Sequence, residues 1–236
     1  MVVRSIRMKL QGLKAVIFDV HRTLVDDSGF PREKIWKLLQ ESGANFSMDE
    51  YYHLYDELTH QLFQWDKIIP FIKIREIHKD RLRKFYTMFQ VDRDIDEDVK
   101  YLWDEMETSR LYPEVPEVLR TIGTNYVMGL VTNADNDDPL IKILGVNGFS
   151  FHSIVTSESV RAYKPAPEIF ETALLNLGCE RDEALLIGDS LLSDVLGARK
   201  IGMKVAWINR KHLKRSRNDP APDYEIDDLT QLYDII

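Results

Sequence analysis

The sequence predicts an α/β fold in which helices cover both faces of a parallel sheet. Short apolar runs alternate with amphipathic segments from residue 13 to 25 and again from about residue 113 onward, which is the pattern of repeated strand, helix and strand units. The runs are continuously apolar, as expected for strands that are buried on both faces. With 236 residues, of which 44% are apolar, the chain is long enough to enclose such a core.

The strands of the predicted sheet lie at residues 14–20, 126–131, 153–156, 184–187 and 205–208. Amphipathic segments that predict helices lie at residues 115–122, 140–144, 167–177 and 193–201. Each helix falls between two consecutive strands. The chain therefore returns to the same end of the sheet before each new strand, and the strands run parallel.

Residues 26–110 follow a different pattern, with few Gly or Pro residues and no convincing strand alternation. Side chains recur at helical spacing in Leu54, Leu58, Leu62 and Trp65, and Phe71, Ile74, Ile77, His78, Arg81 and Phe85 continue this pattern. The prediction is a core domain of residues 1–25 and 111–236, with a helical domain of residues 26–110 inserted after the first strand. More than half of the aromatic residues fall in this insert, where they either form a bundle core or line a substrate pocket.

Polar residues stand where the predicted strands end. Asp19 ends the first strand, Thr132 and Asn133 follow the second, Lys164 follows the third, and Asp189 and Asp194 follow the fourth. Ligands of open α/β sheets bind at the carboxyl ends of the strands. We therefore expect these side chains to share one site.

The residue types at this edge indicate a metal ion beside a phosphate group. Asp19, Asp189 and Asp194 would repel one another and raise one another's pKa unless a cation compensated their charges. Oxygen ligands without a nearby Cys or a second His favour Mg²⁺ over zinc. The hydroxyl of Thr132 and the charge of Lys164 suit the oxygens of a phosphate group.

These four segments, in this order along residues 13–25 and 113–236, resemble the motifs of the haloacid dehalogenase superfamily of hydrolases. The resemblance implies a Rossmann-like core and a C1-type helical cap that closes over the site and selects the substrate. It also implies a phosphatase reaction on a small phosphorylated metabolite, in which Asp19 is the nucleophile and forms an aspartyl-phosphate that water hydrolyses.

The remaining roles follow from the same resemblance. Thr132, Asn133 and Lys164 would bind the phosphoryl group of the substrate. Asp189 would ligate Mg²⁺ together with the Asp19 carboxylate and the backbone carbonyl of His21. Asp194 would bind the ion directly or through water.

One departure from the family pattern lies at residues 21 and 22. Phosphatases of the family usually read Asp-x-Asp-Gly-Thr, whereas this chain has His21 in place of the second Asp and Arg22 in place of the Gly. The missing acid is worth roughly 3 to 5 kcal/mol of barrier. His21 either protonates the leaving oxygen in its place or supplies only its backbone carbonyl. Arg22 either contacts the phosphate or faces solvent.

Two other functions are compatible with parts of this pattern. A 2-haloacid dehalogenase would use Asp19 to attack carbon and would need neither a metal nor the acid, but Asp189 and Asp194 argue against it. A catalytically weakened protein that only binds or regulates would explain His21 and Arg22. The intact Asp19, Lys164 and Asp189 argue against that reading.

Composition limits the partners. The net charge of −8 disfavours a general affinity for nucleic acid, and the basic run at residues 210–217 is expected to be a solvated loop. No apolar run reaches the roughly 20 residues that a membrane helix needs. We expect a cytoplasmic monomer or homodimer that acts on a small phosphate ester.

Overall fold

The computed structural model describes residues 9–27, 29–62 and 70–236. Its strands are β1 (Ala15–Phe18), β2 (Val25–Asp26), β3 (Arg110–Leu111), β4 (Val127–Thr132), β5 (Ser153–Thr156), β6 (Ala184–Gly188), β7 (Lys204–Ile208) and β8 (Tyr224–Ile226). Its helices are α1 (Arg32–Glu41), α2 (Met48–Leu62), α3 (Ile74–Phe89), α4 (Ile95–Met106), α5 (Val115–Gly123), α6 (Pro139–Val146), α7 (Ser157–Val160), α8 (Pro167–Leu177) and α9 (Leu196–Ile201). The predicted α/β fold is confirmed.

Within the described residues the main sheet has the strand order β5-β4-β1-β6-β7-β8, and every neighbouring pair is parallel. The strand β1 lies in the middle, where Phe18 is level with Leu130 on β4 and Ile187 on β6. The residues that follow these three strands therefore emerge side by side at one edge. The sequence did not predict the edge strand β8 or the short antiparallel pair of β2 and β3.

Helices cover both faces of the sheet, and the alternation of β1 shows how. Val16 and Phe18 join the hydrophobic cluster that contains side chains of α5 and α6. Ala15 and Ile17 point to the opposite face and join the cluster that contains side chains of α8 and α9. All four residues of β1 are fully buried, as the continuous apolar run predicts.

The described part of the insert forms the helices α1 to α4, and this agrees with the helical periodicity of the sequence. These helices enclose a third hydrophobic cluster built around Leu39, Tyr51, Leu82, Phe85 and Leu102. Trp65, part of the predicted periodic run, lies outside the described residues. The division into two domains at residues 25 and 111 remains a prediction.

The basic run after β7 divides into two parts. Residues 211–217 are exposed, but Arg210 is half-buried and donates to the carbonyl oxygen of Thr23 (2.9 Å) and to Glu114 (2.6 Å). Arg210 therefore links the last part of the sheet to the loop that follows β1. In the part of the chain that the structure describes, no helix is both long and apolar enough to cross a membrane.

Candidate active site

The centre of the site is a buried lysine between two buried carboxylates. Lys164 Nζ donates to Asp19 Oδ1 (2.6 Å), to Asp194 Oδ1 (2.7 Å) and to the carbonyl oxygen of Val131 (3.1 Å). Burial lowers the pKa of Lys164, but Asp19 and Asp194 raise it further, and the net shift is upward. Lys164 is therefore held as a cation beside the predicted nucleophile.

Asp189 completes a cluster of acids. One carboxylate oxygen from each of Asp19, Asp189 and Asp194 lies within 4.8 Å of the others, so the three residues could hold a metal ion. Burial, together with the charges of Asp19 and Asp194, raises the pKa of Asp189 to about 7 against the opposing effect of Arg22. Burial, together with Asp19, raises the pKa of Asp194 to about 6 against the effect of Lys164. Both shifts reflect the burial of carboxylates close to one another, and a divalent cation would stabilise their charged forms.

Arg22 takes up part of this charge. Its backbone has a φ of +56°, a conformation that favours glycine and explains why a glycine is usual at this position of the family motif. Its Nε lies 3.1 Å from Asp189 Oδ2. Arg22 thus pairs with Asp189, and its side chain is also 53% exposed to solvent.

Thr132 is the last residue of β4 and Asn133 follows it, on the side of Asp19 opposite to Asp189. The two side chains make different contacts. Thr132 is fully buried, and its Oγ1 has no hydrogen-bond partner among the described residues, as expected for a hydroxyl that binds a ligand oxygen. Asn133 accepts from the backbone nitrogen of Lys164 (2.7 Å) and donates to the carbonyl oxygen of Lys164 (3.3 Å). Its amide therefore fixes the Lys164 backbone, and its predicted role in substrate binding is untested.

His21 is held by two carboxylates that the sequence analysis did not single out. Its Nδ1 lies 2.9 Å from Asp27 Oδ2, and its Nε2 lies 3.4 Å from Asp138 Oδ2. Burial lowers the pKa of His21, but Asp138 and Asp27 outweigh burial and hold it well above the usual value. The side chain is 22% exposed, and Nε2 makes no hydrogen bond within the described residues.

A glycine and a helix cap place Asp194. A Cβ added to Gly188 would lie 2.3 Å from Asp194 Cγ, so the carboxylate packs directly against the glycine backbone. Asp194 Oδ2 accepts from the backbone nitrogen of Ser190 (3.0 Å). The Ser190 side chain in turn accepts from the backbone nitrogen of Ser193 (3.1 Å) at the start of a π-helical turn, Leu191–Val195.

The acids open into a cavity of about 520 Å³ that continues between the helices of the insert. Asp19, His21, Thr132, Asn133, Lys164, Asp189 and Asp194 all line it, so the structure brings every predicted site residue into one space. On the insert side the lining includes Arg32 from α1, Tyr55 from α2, and His78 and Arg81 from α3. The helical periodicity of the sequence identified His78 and Arg81 but not their place beside the acids.

One aspartate joins the two halves of this cavity. Asp135 lies in the loop after β4, and its carboxylate accepts from the backbone nitrogens of Ile74 (2.8 Å) and Arg75 (3.0 Å) at the start of α3. The hydroxyl of Tyr163 donates to the carbonyl oxygen of Ile72 at 2.5 Å. The N-terminus of α3 is therefore fastened to two segments of the core, the loop after β4 and the segment that carries Lys164.

A carboxylate at the end of a central parallel strand, paired with a buried lysine and open to a covered cavity, is the arrangement of α/β enzymes that work at the switch point of a sheet. The family model of haloacid dehalogenase-like hydrolases matches residues 16–208, and the chain belongs to this family. The resemblance that the strand-end motifs predicted is confirmed.

Proteins with similar sequences align with nearly the whole chain. The glyceraldehyde 3-phosphate phosphatase of Methanopyrus kandleri is 30% identical over 95% of this chain and 97% of its own length. The N-acylneuraminate-9-phosphatase of Homo sapiens is 23% identical over 95% of this chain and 94% of its own.

Solved structures give the same picture of the fold. The hydrolase YfnB of Bacillus subtilis, bound to magnesium, superposes with a TM-score of 0.78 at 20% identity and covers 94% of this chain and 97% of its own. A phosphatase of the family from Thermococcus onnurineus gives a TM-score of 0.62 at 28% identity, with coverage of 93% and 96%.

Proposed function

We propose that this chain is a Mg²⁺-dependent phosphatase that hydrolyses a small phosphorylated metabolite through Asp19. The observation that carries the proposal is the cluster in which oxygens of Asp19, Asp189 and Asp194 lie within 4.8 Å of one another, with Lys164 2.6 Å from Asp19. The similar proteins whose names state an activity on phosphate esters support it.

The donor atoms fit magnesium. The side chains that would hold the ion are Asp19, Asp189 and Asp194, with the backbone carbonyl of His21, and all of them offer oxygen. When bound, the ion would neutralise the acids and polarise a phosphate oxygen. The magnesium in the structure of YfnB supports this choice of metal.

The protein groups provide the rest of the chemistry. Lys164 and the hydroxyl of Thr132 bind phosphate oxygens and turn the phosphorus toward Asp19. The Asp19 carboxylate attacks phosphorus while the bond to the ester oxygen breaks, and the alcohol leaves. Water then attacks the aspartyl-phosphate, which releases inorganic phosphate and restores Asp19.

His21 is placed to serve the leaving group. Asp27 holds Nδ1 at 2.9 Å, and this orients the ring, while Nε2 has no hydrogen bond within the described residues. In the first step the Nε2 proton passes to the ester oxygen. In the second step His21 takes a proton from the attacking water, so the protons balance. The insert acts as the cap that covers the cavity and selects the substrate.

A screen of phosphate esters in the presence of Mg²⁺ tests the proposal, with release of inorganic phosphate as the readout and Asp19→Asn as the blank. We expect turnover that EDTA abolishes and that excess Mg²⁺ restores. Turnover that survives in Asp19→Asn, or that ignores EDTA, contradicts the proposal; the latter result is the one expected of a dehalogenase-like reaction.

A second arm of the same screen tests His21. His21→Asn should lose about 100-fold or more on an alkyl phosphate and far less on an aryl phosphate, whose alcohol leaves without a proton. Little or no loss on either ester assigns His21 a role through its backbone carbonyl alone, and equal losses on both esters contradict a role in protonating the leaving group.

A further inference from the structure

The insert half of the cavity carries positive charge. Arg81 and Arg32 both line the cavity that holds Asp19. Nothing in the phosphatase chemistry requires cations in this half, because Lys164 and the metal site already serve the ester phosphate. The two arginines therefore need a separate account.

Arg81 is the more buried of the pair. It lies on α3 with 1% of its surface exposed, and its Nη1 donates to the hydroxyl of Tyr55 at 2.6 Å. The guanidinium lies 4.6 Å from the centre of the Tyr55 ring. Burial lowers the pKa of Arg81 below its usual value against the opposing effects of Tyr55 and Tyr51. A buried guanidinium that lines the cavity can pair with an anionic ligand that enters it.

Arg32 approaches the same tyrosine from α1. Its guanidinium lies 5.5 Å from the centre of the Tyr55 ring and 3.9 Å from that of Tyr52. Nη2 donates to the carbonyl oxygen of Tyr52 (3.2 Å) and to Asp56 (3.1 Å), but the buried Nε has no hydrogen-bond partner among the described residues. Two guanidinium groups thus lie around one aromatic ring.

We propose that Arg81 and Arg32, joined through Tyr55, form an anion-binding subsite, and that the substrate is a phosphate monoester with a second anionic group at its far end. This inference rests on the proposed function, because it takes the acids as the place where the ester phosphate binds. The second group is a carboxylate or a second phosphate, both of which accept the paired hydrogen bonds that a guanidinium offers.

A series of linear phosphate monoesters of increasing length tests the subsite, because at each length the far end can be a hydroxyl, a carboxylate or a second phosphate. The measured quantity is kcat/KM with Mg²⁺. We expect the intact enzyme to prefer an anionic end over a hydroxyl end at least 10-fold. In Arg81→Met the preference should fall below 3-fold, chiefly through a lower kcat/KM on the esters with an anionic end.

Arg83→Met is the matched control. Arg83 lies two residues further along α3, where its side chain is 58% exposed and pairs with Asp80, so the variant loses the same charge outside the cavity and should keep the full preference. Should Arg81→Met fail to fold, as judged by circular dichroism, Arg32→Met replaces it, because Arg32 lies at the first residue of α1 and is partly exposed. The choice between carboxylate and second phosphate follows from which ester is turned over faster.

Binding of the same esters to Asp19→Asn, measured by calorimetry, separates the two proposals. Equal turnover of anionic and hydroxyl esters by the parent overturns the subsite and leaves the phosphatase intact. A preference that persists in a folded Arg81→Met and in Arg32→Met overturns it as well. If the parent turns over none of the esters, but binding to Asp19→Asn still depends on the anionic end and on Arg81, the proposed phosphatase activity is overturned and the subsite is supported.

Discussion

The two halves of the cavity are built in different ways. In the core half, Asp19, Thr132 and Asp189 each follow a strand of one sheet, and the register of those strands puts Phe18 level with Leu130 and Ile187. In the insert half, the lining side chains project from helices whose mutual positions depend on their packing. The core half is therefore fixed by backbone hydrogen bonds and the insert half by side-chain contacts.

The two kinds of support differ in how precisely they fix the position of a side chain and in how readily they change. A sheet tolerates little change at a strand end, because each neighbouring strand repeats the same register. Helices packed through side chains shift with every change of volume. Chemistry common to a family is expected on the first kind of support, and recognition of a particular substrate on the second.

The largest expected loss of activity comes from Gly188→Ala, which disturbs the core half of the cavity. The new Cβ would lie 2.3 Å from Asp194 Cγ, so the carboxylate must shift from the position in which it accepts from Lys164. We expect a loss of about 100-fold in kcat, since a displacement of about 1 Å has that cost, and a loss of roughly 2 kcal/mol in unfolding free energy. Steady-state kinetics and urea unfolding measure the two effects.

Gly145→Ala is the control for this change. A Cβ at Gly145, near the end of α6, meets no atom within 4 Å, so the variant should keep full activity and gain up to about 1 kcal/mol from helix propensity. Full activity in Gly188→Ala would show that the position of Asp194 does not depend on the glycine contact.

The core half of the site could be predicted because its signals are local. An apolar run that ends at Asp19, or at Thr132, predicts both the strand and the polar side chain at its carboxyl end. Asp138 gave a local signal too, since Asp followed by Pro139 marks a helix start, and its carboxylate does accept from the backbone nitrogen of Leu140. The sequence could not show that its other oxygen faces His21.

The insert half could not be predicted in this way. Helical periodicity placed Ile74, His78 and Arg81 on one face of a helix, but the same pattern fits a closed bundle core. What opens this face to the acids is the docking of α3 onto Asp135, a contact 61 residues apart in sequence. The short strands were missed because two or three residues, as in β2 and β8, do not establish an alternation.

The next largest loss of activity is expected for Asp135→Ala, which removes the contact that joins the two halves of the cavity. The carboxylate accepts two backbone hydrogen bonds at the start of α3, and their loss should cost about 2 kcal/mol in unfolding free energy. We also expect kcat/KM to fall about 10-fold, since α3 carries His78 and Arg81 into the cavity. Asp137→Ala removes only an exposed pair with Arg75 and should cost less than about 0.5 kcal/mol. Equal losses in the two variants would contradict this role of Asp135.

The smallest expected effect comes from His78→Phe and tests how dry the insert half is. His78 is 6% exposed and packs edge-on against Trp103 at 5.6 Å. Burial, with the charges of Arg81 and His21, holds the pKa of His78 well below its usual value. The folded protein therefore keeps His78 neutral at a pH at which the unfolded chain has taken up a proton, so His78 lowers the unfolding free energy as the pH falls below about 6.5. The slope is at most about 1.4 kcal/mol per pH unit.

Between pH 7.5 and 5.5 the unfolding free energy of the parent, measured by urea unfolding, should fall by about 1 kcal/mol more than that of His78→Phe. His53→Phe, changed on the exposed side of α2, should follow the parent. The same pH dependence in the parent and in His78→Phe would mean that His78 takes up a proton in the folded protein as readily as in the unfolded chain, because water reaches the imidazole.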